Sequence, residues 1–248
     1  MAKQRHLSRA PIREAVIDIQ FQSAVDSASV SEFATAFSNG KGPVSDLWAT
    51  SLELRVGPAP GALQPEHTAT LIGKRLDLDD GKHVVQFRMN GFTYSQLPPY
   101  DTWEAMSAGA LEIWREYQAI VKPEEISRIA LRYINALAIP LPVQNFDDYL
   151  THAPQVPKEL PQSLASFLNR VLIHDQENKD IAQVTQMLEG EASDGKAINI
   201  LFDIDVFHPC QLKSATEEQI FSVLQRLREF KNKAFFGFLE EKILEPYA

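Results

Sequence analysis

The chain has 248 residues, 44% of them hydrophobic and 23% charged, with a net charge of -9. That length suits one large domain or two ordinary ones, and the balance is that of a soluble globular protein rather than a disordered segment. The negative charge argues against broad charge-driven binding of nucleic acid, whose affinity comes from lysines and arginines neutralising phosphates. A single cysteine, Cys210, leaves no intrachain disulfide and suits a reducing compartment. No apolar run approaches the ~20 residues of a membrane span. The basic start, Met1 to Ala10, lacks the apolar stretch of a signal peptide, so the expectation is a cytoplasmic protein without membrane contact.

In chain order, residues 1–11 read as a basic arm ending at Pro11. From Ile12 to Gln22 apolar and polar residues alternate, with Ala15, Ile17, Ile19 and Phe21 on one side, which predicts a half-buried strand. Ser29 to Phe37 places Val30, Phe33 and Phe37 at helical spacing and stops at Asn39-Gly40. Leu47 to Val56 reads as a strand closed by Gly57-Pro58 and a Pro-rich turn through Pro65. Three apolar runs follow: Thr68 to Leu78, His83 to Met89 and Phe92 to Gln96. Asp79-Asp80-Gly81 and Asn90-Gly91 separate them, and both tolerate the positive φ of tight turns, so they predict a β-meander. Asp101 with Glu104 predicts a capping box for a helix whose stripe is Trp103, Met106, Ala110, Ile113, Trp114 and Tyr117.

Ile126 to Pro140 is the best strand candidate in the chain. Asn145 to Leu150 reads as a short helix, and Pro154, Pro157 and Pro161 mark a loop. Ser163 to His174 is ambiguous between helix and strand, with Val171 and Ile173 favouring strand. Ile181 to Leu188 and Ala197 to Phe207 read as strands around Ser193-Asp194-Gly195. A long terminal helix starts at Thr216, with Gln219 completing a capping box.

Ile12 and Ile126, Gly81 and Gly195, and Thr102 and Thr216 are each 114 residues apart. That common offset predicts an α+β fold of two tandem similar units, 12–123 and 124–248, behind the arm at 1–11. Each unit is expected to be an antiparallel sheet (strand, helix, meander) covered by its own long helix, with a cleft at the seam.

Four constellations could carry function. Arg132 and Asn135 interrupt the apolar central strand: they could present donors to an anionic or amide-bearing ligand, or pair with a carboxylate across the sheet and close a backbone bond. Asp203 and Asp205 share one strand face, where they could act as an acid/base pair, hold a cation, or serve as partners for Arg132. Arg226, Arg228, Lys231 and Lys233, with Lys3, Arg5 and Arg9, could meet nucleic acid or an acidic partner, or form solvated faces of an amphipathic helix. Phe230, Phe235, Phe236 and Phe238 are too many for one buried stripe, which predicts either enclosure or a partner interface. The six histidines form no pair with metal-ligand spacing, and no phosphate-binding or nucleophile-elbow motif occurs, so no cofactor, metal or catalytic residue is expected.

Arg9-Ala10-Pro11-Ile12-Arg13-Glu14-Ala15, Arg128-Ile129-Ala130-Leu131-Arg132-Tyr133-Ile134-Asn135 and Lys231-Asn232-Lys233-Ala234-Phe235-Phe236 carry a resemblance. The chain resembles a family of sporadically distributed bacterial proteins of similar length. The resemblance spans nearly the whole chain and implies a complete gene product, accessory to mobile or defence-related elements. It implies no activity, cofactor or catalytic residue.

The expectation is a non-enzymatic protein-interaction or self-assembling module, a homo-oligomer or binder of a protein partner. The alternative is a small-molecule binder or enzyme using the cleft between the units.

Overall fold

Period-two alternation makes Ile12–Phe21 the first strand, β1, with Ala15, Ile17, Ile19 and Phe21 buried on one face and Asp18 and Gln20 on the other. The computed structural model describes residues 1–56 and 63–248, and the side chains of all of these except 51–56 and 63–67. After β1 come helix α1 (Ser27–Phe37) and strands β2 (Val44–Val56), β3 (Leu63–Asp77), β4 (His83–Arg88) and β5 (Gly91–Gln96). Helix α2 (Trp103–Val121) leads into β6 (Glu125–Pro140). Strands β7 (Leu168–Asp175), β8 (Asp180–Glu191) and β9 (Ala197–Lys213) precede helices α3 (Glu217–Gly237) and α4 (Glu241–Leu244). The turn expected at Gly57-Pro58 lies outside the described residues.

The local signals act where they stand. Asp26 caps α1 by accepting from the Ser29 amide. Thr216 and Gln219 form the capping box of α3, each side chain accepting from the other's backbone N–H. At α2 the cap sits one residue later than the Asp101–Glu104 pattern predicts: the Thr102 hydroxyl accepts from the Ala105 amide. The ambiguous segment is a strand from Leu168 onward, and Asn145 to Leu150 holds only a 3-10 turn at Phe146–Asp148.

The two-unit architecture is overturned. The nine strands of the described residues form one antiparallel sheet in the order β2-β3-β4-β5-β1-β6-β9-β8-β7. The cause is the pairing of β1 with β6, which runs from Ile12 opposite Asn135 to Phe21 opposite Ile126. Those strands would have been the free edges of two separate sheets. Joined, they satisfy each other's backbone groups, and among the described residues β2 and β7 are the edges of the sheet.

The helices cover one face of this sheet in one continuous core. All six predicted stripe residues of α2 are buried. Phe33, Phe37, Phe87, Phe92, Trp114 and Tyr117 pack there with ring centroids 5.1–6.4 Å apart. α2 contacts α3, which lies over β6, β8 and β9. Among the described residues, no helix is long and apolar enough to cross a membrane.

Candidate functional site

The open face of the sheet carries a strip of paired charge. Arg132 donates from Nε and Nη2 to the two Asp203 oxygens, both at 2.8 Å. Arg128 bridges Asp205 at 2.7 Å and Asp18 at 3.2 Å. Asp18 also accepts from Arg88, from the Thr93 hydroxyl at 2.8 Å and from Gln20 at 3.0 Å. Strand register produces this, because β6 places Arg132 opposite Asp205 and Ile134 opposite Asp203 on β9. Three arginines face three aspartates, so the strip is compensated internally. Hydrogen bonding to Asp203 holds the Arg132 guanidinium above its ordinary range, while burial pushes the Asp205 carboxyl up against the pull of Arg128 and Arg132. Asn135 does not join them. It lies 1% exposed on the helix-covered face and donates to the carbonyls of Tyr133 at 3.2 Å and Phe202 at 3.0 Å.

On that covered face a cavity of about 670 Å³ opens between the N-terminus of α2, the middle of α3, β6 and the N-terminal arm. The arm is strapped over it. The Ala2 amide donates to the Leu239 carbonyl at 2.8 Å, the Arg9 amide to the Tyr247 carbonyl at 3.2 Å, and Arg5 to Glu241 at 2.8 Å. Tyr100 and Tyr133 meet hydroxyl to hydroxyl at 2.8 Å on the cavity wall. Burial holds both phenols above their ordinary range, so at neutral pH they are protonated donors. The Lys231 ammonium lies 3.9 Å from the centroid of the Tyr133 ring. Arg228 reaches Glu104 at 3.4 Å and sits 5.5 Å over the Trp103 ring.

Three groups on this wall are unmatched. Lys231 has no carboxylate partner among the described residues, and desolvation, with Arg228 nearby, pushes its amine down to about 7. Trp103 is 4% exposed and its indole N–H has no partner among the described residues. Asn135 spends its amide protons on backbone carbonyls, and its oxygen takes no hydrogen bond among the described residues. The first turn of α2, with its free N–H groups and positive dipole end, adds to them, because Thr102, Trp103 and Glu104 line the same space.

The four phenylalanines of the last helix divide. Phe235 and Phe236 are 6% and 7% exposed, packed edge to face at 5.1 Å, and form part of the cavity wall. Phe230 and Phe238 are half-buried and line a separate apolar groove of about 490 Å³ with Val171 and Ile173 of β7. The basic cluster divides too. Arg226 pairs with the buried Asp180 at 2.6 and 3.0 Å, beside His208 at 2.8 Å from the same carboxylate. Lys233 is exposed and Lys231 faces the cavity.

The cavity as a unit is what sequence reasoning missed. One signal was available: Ile220, Leu224, Leu227, Lys231 and Phe235 advance by three or four residues, so Lys231 occupies the buried stripe of an amphipathic helix. Among the described residues, no group of three His, Cys, Asp or Glu side chains could hold a metal ion. No family model matches the chain, and no curated protein matches it.

Proposed function

We propose that the chain binds a small anionic molecule in the cavity between α2 and α3. The observation that carries this is Lys231, an amine without a carboxylate partner among the described residues, facing a half-open recess of ligand size. An incoming carboxylate or phosphate would supply that missing partner. It would also meet the first-turn N–H groups of α2 and the phenols. The aromatic rings of Tyr100, Tyr133 and Trp103 supply flat apolar walls for the rest of the molecule.

Native mass spectrometry of the purified chain, followed by denaturing release, tests this. A bound mass lost in Lys231→Met, with unchanged circular dichroism, is the expected result. Equal occupancy in both proteins, or melting temperatures unmoved by a panel of carboxylates and phosphates in both, would sink it.

A second reading, a module that docks a protein partner or a second copy, has one observation in its favour. Phe230 and Phe238 line an apolar groove beside β7, whose Leu168 and Leu172 are exposed on an edge strand. A concentration-dependent dimer abolished by Phe238→Ser would support it, whereas a monomer at all concentrations tested with no added partner would limit it to a foreign partner.

A further inference from the structure

The structure assigns Lys231 a covalent role: it forms an imine with an aldehyde- or ketone-bearing anion held in the α2/α3 cavity. This rests on the binding reading above and specifies the ligand class. An imine-forming lysine needs an amine that is neutral in a sizeable share of molecules, a recess for the carbonyl, and groups that hold the ligand in register. The cavity supplies each. Lys231 lies over the face of the Tyr133 ring, a contact that favours the ammonium, but it has no carboxylate partner among the described residues, and desolvation with the like charge of Arg228, one turn away, outweighs it. The other titratable groups on the cavity wall are Arg5 and His6 of the arm, Tyr100, Asp101 and Glu104 beside α2, and Tyr133 of β6. Arg5 is tied to Glu241, and Glu104 faces Arg228. Burial lowers the Lys231 amine to about 7, so a large share of it is unprotonated near neutrality.

The chemistry balances without a further reactant. The amine lone pair forms a C–N bond at the carbonyl carbon, and the carbonyl oxygen takes up a proton. The resulting carbinolamine loses hydroxide, which leaves as water after protonation, and the nitrogen gives up its protons to complete the C=N bond. Tyr100 and Tyr133, protonated and hydrogen-bonded to each other at 2.8 Å, are the donors at hand for that oxygen. The anionic end of the ligand would be met by the first-turn N–H groups of α2 and by Arg228, which it would share with Glu104.

The test uses the full chain with glyoxylate and cyanoborohydride near pH 7, reading carboxymethyl adducts by peptide mass spectrometry. Lys233, exposed and two residues away on the same helix, is the internal reference and needs no variant. An ordinary lysine is neutral in roughly one molecule in 10³ or fewer at this pH, against about half for an amine of pKa about 7. Because a less basic amine is also less nucleophilic, the expected rate at Lys231 is at least about tenfold that at Lys233. Glycolate, which lacks the carbonyl, should slow the Lys231 reaction and leave Lys233 alone. A Lys231 adduct that forms no faster than that at Lys233 overturns the imine. In that event a melting-temperature rise with glycolate, kept in Lys231→Arg, would leave anion binding standing, and its absence would remove both.

Discussion

Replacing Lys231 by Met should remove a specific pH dependence of stability. In the folded chain the Lys231 amine is lowered from 10.5 to about 7, by desolvation first and by Arg228 second. Between those values the unfolded chain holds a proton that the folded chain has released. The unfolded state therefore binds more protons, and stability rises with pH across the window. The slope approaches 1.36 kcal/mol per pH unit, and integration from about pH 7 to about pH 9 gives roughly 2 kcal/mol. Met keeps the length and apolar character of the stem and titrates in neither state, so the variant lacks this increment. The assay is urea unfolding followed by tryptophan fluorescence at several pH values. His6, Asp101, Glu104, Tyr100, Tyr133 and Arg228 line the same cavity in both proteins, and their contributions cancel in the difference. The difference in unfolding free energy between Lys231→Met and wild type should shrink by about 2 kcal/mol over that range. Parallel curves would show that Lys231 is solvated and fully charged in the fold, and the reasoning about the cavity would fail.

Other perturbations follow from the same contacts. Arg132→Met leaves the buried Asp203 without its bidentate partner and should lower stability by about 1–3 kcal/mol in urea unfolding, with no change in occupancy of the cavity. Asp180→Asn removes the carboxylate shared by Arg226 and His208 from a position 1% exposed, and should cost about 3 kcal/mol by the same measurement. Phe235→Ser empties a core position packed on Phe202 and should cost about 3–5 kcal/mol in thermal or urea unfolding, so a loss of association in that variant would report unfolding rather than an interface. Thr216→Ala breaks the capping box of α3 and should cost about 1 kcal/mol, again by urea unfolding.

The strands and caps were legible because their signals are local. Alternation at Ile12–Phe21 and the Thr216–Gln219 pair state their structure within a few residues. The joining of β1 to β6 was not legible. A strand with one buried face reads the same whether its neighbour is solvent, another strand of its own unit or a strand 114 residues away, and backbone hydrogen bonding leaves no side-chain signature. The aspartate pattern at 203 and 205 was visible as two carboxylates on one face, but their partners depend on the β6–β9 register, which sets Arg132 and Arg128 among them. The cavity draws on residues near 100, 133 and 231, brought together where the segment leading into α2 and the middle of α3 meet over β6. Phe235 and Phe236 looked like an interface because a straight helix cannot hide four phenylalanines in one stripe. In the fold two face the cavity and two flank the β7 groove, so the helix buries aromatic surface on two sides.

Two clusters of charge thus sit on opposite faces of β6, and their difference is informative. On the open face each arginine finds a carboxylate: Arg132 holds Asp203, and Arg128 joins Asp18 to Asp205. Such a strip stiffens the sheet, and an anion arriving there would have to displace an existing carboxylate. On the covered face Lys231 has no such competitor, and part of its desolvation has already been borne in folding. An anion entering that space gains an ion pair in a low-dielectric surrounding without breaking one, and it meets donors whose positions are fixed by α2 and by the Tyr100–Tyr133 pair. The charge of a bound anion would offset the desolvation that weakens the ammonium, so binding should draw a proton onto Lys231. A carbonyl in the same place draws instead on the neutral amine. The Lys231 environment therefore couples occupancy of the cavity to protonation, which the compensated strip on the other face has no means to do.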